Sequence, residues 1–348
     1  MQISYLIFMN IAKVDLINIA LMFCSVALAL LLPFELFLFS YAVLGPLHYV
    51  TEISWLQKKQ YFIAGKKDWI ALIVICSLAA FFFFIIELSF YFKDSAFLNN
   101  FLQNHEVKND EFLAILSLLT PILVFVTFAS AYILTYIKDW FWRFNSFVAA
   151  IFLSLLLLDV PAYFLIFGIL ITTLIHVWLF TGLFMLSGAV KSKNMSSYIS
   201  LVVFVLCSLS FVFMTREGYL LSGQALEVVN SDAGFLGLNK ALAKMFGLSS
   251  ENLDLISSAA GLKIQAFIAF AYTYHYLNWF SKVEIIKWHK VSKTALTFCI
   301  VIWIIALAAY FYSYSFGWIA LFFLSLMHVF LEFPLNFRSI EIIFSSKK

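Results

Sequence analysis

The sequence predicts an all-α protein, a polytopic transmembrane helix bundle, and three observations lead there. Hydrophobic residues make up 64% of the 348 and charged residues only 12%, where an ordinary soluble domain carries about 25% charged residues. Apolar runs of about 20 residues, the length that crosses a bilayer as a helix, recur along the chain. Lysine and arginine gather in alternate connecting segments, as the positive-inside rule requires of cytoplasmic loops. Low glycine (12) and proline (5) counts suit long helices, and the thinly spread net charge of +3 gives no nucleic-acid footprint.

About ten spans are expected, near 14–32, 34–56, 69–92, 112–137, 145–159, 161–188, 197–214, 260–281, 294–313 and 317–336. Pro33 and Pro161 separate the first and third pairs, because proline ends a helix at the residue before it. The first run, from Val14, has no small-residue cleavage site after it and reads as a span. With the N-terminus inside, the cytoplasmic loops hold Lys58, Lys59, Lys66 and Lys67, then Lys138 and Arg143, Lys191 and Lys193, and Lys282, Lys287, Lys290 and Lys293. The tail adds Arg338, Lys347 and Lys348, while the outside loop 93–111 is closer to neutral. Both termini are therefore expected in the cytoplasm, with residues 1–348 forming a single integral-membrane domain.

Trp140, Phe141 and Trp142 beside Arg143 read as an interfacial anchor, as do Trp55 near Tyr61 and Trp279 near Trp288. The extracytoplasmic loop 215–259 contains Leu238–Gly247, the pattern of a short amphipathic helix closed by a C-terminal glycine. Cys24, Cys76, Cys207 and Cys299 all fall in apolar runs without CxxC spacing, so they read as packing residues. Glu35 at the start of the second span suits a helix N-terminus, Asp159 a cap for the sixth span, and Glu87 a snorkelling position.

Four histidines interrupt the apolar runs: His48, His176, His275 and His328. An ionisable side chain in a span is costly and points to function. Their spans all run from outside to inside, and the residues lie about 6 to 12 positions from the cytoplasmic end, about 9 to 18 Å deep. One layer of imidazoles is thus expected in the cytoplasmic half of the membrane. Glu52 and Glu332 each follow a histidine by four residues, on the same helix face, and Asn278 follows His275 by three. Such groups tune a metal-bound imidazole through its second nitrogen, and either carboxylate could also bind the metal directly. Neutral imidazole suits iron, zinc, copper or nickel, and oxygen chemistry would select iron. A lone membrane histidine is as often an interhelical hydrogen-bond donor, so the metal reading rests on the four together. His105 and His289 read as solvated loop residues.

The stretch Gly45-Pro46-Leu47-His48 resembles, in permuted form, the Gly-Leu-Pro-His-Gly-type motif of the Brp/Blh family of membrane carotenoid oxygenases. Tyr272-Thr273-Tyr274-His275-Tyr276-Leu277-Asn278-Trp279 is similar to that family's aromatic tract before a Trp-His pair. The resemblance implies a helical membrane protein with a non-haem iron held by histidines of several spans, cleaving a carotenoid. It also implies location in a bacterial inner membrane. The chain departs from the motif at Tyr49, which replaces a glycine, and at Trp279, where a second histidine would stand. It also lacks an aspartate three residues after His48. The histidine boxes of membrane desaturases, and HExxH, are absent.

The leading expectation is a membrane dioxygenase-type oxidoreductase acting on an apolar lipid or isoprenoid drawn from the bilayer. His48, His176, His275 and His328 would hold a non-haem iron, tuned by Glu52, Glu332 and Asn278. A proton- or ion-coupled transporter would use the same buried His/Glu groups, although no internal repeat is visible. A b-type haem protein would use two of the histidines as axial ligands. A structural scaffold would leave the two glutamates without a role.

Overall fold

The computed structural model describes residues 2–92, 95, 109–214, 218–230, 236–248, 254–282 and 292–345, and among these every regular element is a helix. The first half of the chain forms α1 (Gln2–Leu31), α2 (Pro33–Lys58), α3 (Lys66–Tyr91), α4 (Asn109–Tyr136), α5 (Trp140–Leu156) and α6 (Pro161–Leu170). The second half forms α7 (Ile175–Ser192), α8 (Met195–Phe213), α9 (Gly223–Asn230), α10 (Gly237–Met245), α11 (Ala259–Ser281), α12 (Lys293–Tyr312) and α13 (Tyr314–Ser345). His105, His289 and Trp288 lie outside the described residues.

Eight helices, α1, α2, α3, α4, α7, α8, α12 and α13, are long and apolar enough to cross a membrane. The pair α5 and α6, bent by 116°, is a ninth candidate. Bulky side chains such as Phe23, Phe152, Phe213 and Ile305 stand exposed along these helices, as lipid-facing surfaces require. The protein is an integral membrane protein. Of the expected spans, 260–281 is not among the apolar eight. Its helix, α11, buries Gln265, Thr273, Tyr274, His275, Tyr276 and Asn278, and a helix covered by its neighbours needs no apolar face for lipid.

The helix breaks follow from local chemistry. Leu32 leaves helical geometry (φ −139°, ψ 60°) before Pro33, and Val160 is extended before Pro161. The expected span 161–188 is not one helix. It breaks at Ile171–Thr173, where the hydroxyls of Thr172 and Thr173 both turn back onto the Ile169 carbonyl. The short helix expected at 238–247 is α10, which Gly247 follows in the left-handed conformation (φ +71°).

The chain forms two compact units. The first comprises Met1–Thr51, Leu174–Ala308 and Asn336–Lys348, and α11 is its axis. Around α11 lie α1, α2, α8, α10 and the start of α7. Buried polar contacts join them: Ser40 to Thr273 (2.7 Å), Asn239 to Gln265 (2.9 Å), and Gln265 to the Pro33 carbonyl (3.0 Å). Glu35 accepts from the Tyr219 hydroxyl and the Ser222 amide, which ties the segment before α9 to the start of α2.

The second unit comprises Glu52–Thr173 and Ala309–Leu335. Its hub is α4, packed on α3, α5 and α6. Pro121 inside α4 weakens that helix's own ladder, and the Pro121 carbonyl accepts from the Tyr163 hydroxyl at 3.0 Å. Arg143 at the start of α5 makes a two-pronged ion pair with Asp68 of α3 (2.9 and 3.2 Å) and caps the Ile137 carbonyl. Trp140, Phe141 and Trp142 are exposed beside it, as an interfacial anchor requires.

Three stretches carry the wider π-helical turn: Ser40–Leu44 in α2, Phe164–Leu170 in α6 and Ile175–Phe180 in α7. Two of them adjoin or contain a buried histidine. The first precedes Gly45-Pro46, and the Val43 carbonyl there accepts from the Trp303 indole at 2.8 Å.

Candidate metal centre

The four histidines picked out by their spans are all buried. His48, His176 and His275 belong to the first compact unit and His328 to the second. Three buried imidazoles meet in the first unit, a set that could bind a metal ion.

Within the first unit the geometry is detailed. His48 lies one turn into the α-helical part of α2, two residues after Pro46. His176 is the second residue of α7, inside its π stretch. His275 faces both from α11. The His275 and His48 rings are 4.7 Å apart, with their Nε2 atoms 3.0 Å from each other, and the His176 and His275 rings are 4.8 Å apart. Two nitrogens each about 2.1 Å from a shared ion are about 3.0 Å apart at a right angle and about 3.4 Å at the tetrahedral angle. The His48–His275 pair therefore fits one ion as it stands.

Aromatic rings confine His48. Tyr276 stands 5.2 Å away, Trp279 5.5 Å and Tyr49 6.0 Å. The Tyr49 and Tyr276 hydroxyls meet at 3.2 Å, and a Cβ on Gly45 would lie 2.8 Å from the first and 3.3 Å from the second. The glycine of the Gly-Pro-Leu-His stretch thus makes room for a tyrosine pair against the helix. Trp279 is not a free interfacial anchor: its indole donates to Thr51 Oγ1 at 3.0 Å, and Thr51 donates to the His48 carbonyl at 3.0 Å. His275 Nδ1 meets Thr181 Oγ1 at 2.8 Å. Thr51 and Thr181 were not visible as site residues in the sequence, since neither spacing nor burial marks a threonine in an apolar run.

Asn278 is buried one turn from His275, and its Oδ1 has no hydrogen-bond partner among the described residues. In the second unit, Glu52 and Glu332 are both buried and near enough for their charges to act on one another. His328 sits one turn before Glu332 in α13, with Asn336 a turn beyond on the same face and also buried. Other acidic groups have structural roles or lie at the surface. Glu35 anchors the segment before α9, Asp159 is exposed, and Asp15 accepts from the hydroxyls of Ser196 and Ser197 at 2.6 and 2.8 Å.

Elsewhere in the first unit, a small pocket is lined by Leu30, Pro33, Tyr219, Leu262, Lys263 and Ala266, none of them a candidate ligand. The four cysteines are unpaired in disulfides. Comparison with protein-family models, curated proteins and solved structures finds no match for this chain.

Proposed function

We propose that the protein is an integral-membrane metal enzyme, a non-haem iron oxygenase acting on an apolar lipid or isoprenoid with a carotenoid-like polyene. The observation that carries this reading is the meeting of three buried imidazoles in the first unit, with the His48 and His176 rings 4.7 and 4.8 Å from that of His275. An all-nitrogen set suits a borderline metal over magnesium or calcium.

His48, His176, His275 and His328 would hold the iron, which when bound supplies dioxygen activation. Glu52 and Glu332 would balance its charge from one turn away, a distance at which buried carboxylates tune a ligand. Asn278 would orient a polar atom through its Oδ1. Tyr49, Tyr276 and Trp279 would keep water from the His48 side. The substrate would enter from the bilayer, both termini would be cytoplasmic, and a bacterial inner membrane is the proposed location. The carotenoid preference rests on the resemblance of the stretches around His48 and His275 to the Brp/Blh family.

The b-type haem alternative fits the geometry less well. With imidazoles 4.7 and 4.8 Å apart, centre to centre, on both sides of His275, little space remains for a porphyrin plane between them. An ion-coupled transporter would use the same groups, and turnover separates the two. Iron-loaded protein in detergent, incubated with a carotenoid under isotopically labelled dioxygen, should bleach the polyene and release a labelled aldehyde. Iron bound without consumption of any polyene or unsaturated lipid would contradict the oxygenase reading.

A further inference from the structure

The His275 ring lies against the rings of both His48 and His176, and its orientation is set by a threonine. Thr181 has a single hydroxyl proton. Its Oγ1 lies 2.9 Å from the Val177 carbonyl and 2.8 Å from His275 Nδ1. A carbonyl can only accept, so the first contact takes the threonine proton. Were that proton turned to the imidazole instead, two acceptor oxygens would face each other at 2.9 Å with nothing between them. The arrangement that satisfies both contacts has Nδ1–H of His275 donating to Thr181.

That proton placement leaves His275 Nε2 unprotonated, and Nε2 is the atom 3.0 Å from His48 Nε2. The backbone explains how Thr181 reaches the ring. His176 and Thr181 are five residues apart, which on an α-helix would put them about 140° apart. The π turn across Ile175–Phe180 bonds residues five apart and so stacks them on one face. His275 can then meet the His176 ring and the Thr181 hydroxyl together. One turn further along α11, Trp279 donates to Thr51, whose own proton goes to the His48 carbonyl. Both contacts follow one rule: a threonine spends its proton on its own helix and accepts an N–H from α11.

We infer that Thr181 is a positioning residue that holds His275 in its Nδ1–H tautomer and presents Nε2 as a metal donor. The inference rests on the metal-centre reading for its purpose, but the tautomer itself is a property of the metal-free protein. The test is isotope-labelled histidine NMR of the full-length protein in detergent, with the His275 signal assigned by its loss in His275→Ala, alongside zinc(II) titration. Wild type and Thr181→Ser should show Nδ1 protonated in His275. Thr181→Val, similar in volume but without the acceptor, should lose that preference and bind zinc about 10–100-fold more weakly. Thr181→Ser should bind zinc nearly as tightly as wild type, a rescue that a packing role would not give. An Nε2–H tautomer in wild type, or equal zinc affinity in Thr181→Val and wild type, would overturn the role. If wild type itself binds neither zinc nor iron, the metal reading fails, and the NMR result alone decides whether Thr181 sets the tautomer.

Discussion

Gly45 shows how much one missing methyl group can carry at the residue scale. Its side-chain position is filled by the Tyr49 and Tyr276 hydroxyls, which bond each other next to His48. Gly45→Ala places a Cβ 2.8 Å from a buried oxygen, and the tyrosine pair must then shift. Overpacking of this kind costs about 1–3 kcal/mol, so the variant should melt at lower temperature and bind metal more weakly than wild type. Unchanged thermal unfolding and metal content would show that the pair adapts freely. Tyr276→Phe in the Gly45→Ala background removes one of the crowded oxygens and should recover part of the loss. At this scale the sequence displayed the histidines and the two glutamates plainly, because ionisable groups stand out in apolar runs. It could not display Thr51, Thr181 or the reason for Gly45, since those depend on which helix faces which.

Elements were legible where proline or glycine marks them. The breaks at Pro33 and Pro161 and the glycine after α10 are all where residue chemistry puts them. The π turns were not, because a hydrophobic pattern reads as helix whether its bonds close over four residues or five. The break between α6 and α7 was hidden in the same way: Ile171, Thr172 and Thr173 are ordinary helix residues until the threonine hydroxyls compete for the Ile169 carbonyl. One contact bears directly on element packing in the second unit. The Tyr163 hydroxyl donates to the Pro121 carbonyl inside α4, and Ser154 Oγ of α5 lies 2.6 Å from the Tyr163 hydroxyl oxygen. Tyr163→Phe leaves that carbonyl and the serine without this partner, at a cost of about 1–3 kcal/mol. The expected result is a lower unfolding temperature. In a double-mutant cycle, Ser154→Ala should add less in the Tyr163→Phe background than alone; strict additivity would show that the two hydroxyls do not interact.

At the scale of the whole molecule, composition alone identified a membrane-embedded helical protein, and eight apolar helices agree. The expected span 260–281 forms α11, a helix more polar than the eight. It brings Tyr274, His275, Tyr276 and Asn278 into the interior of the first unit, where apolar side chains would otherwise suffice. We propose that this polar interior holds a metal. The most direct measurement is the metal content of protein purified in detergent without chelators, with His48→Ala and His328→Ala beside it and the visible spectrum recorded. About one iron per chain is expected in wild type, without a Soret band, and none in either variant while both remain folded. Metal-free wild type after iron loading, or iron retained in both variants, would contradict the claim.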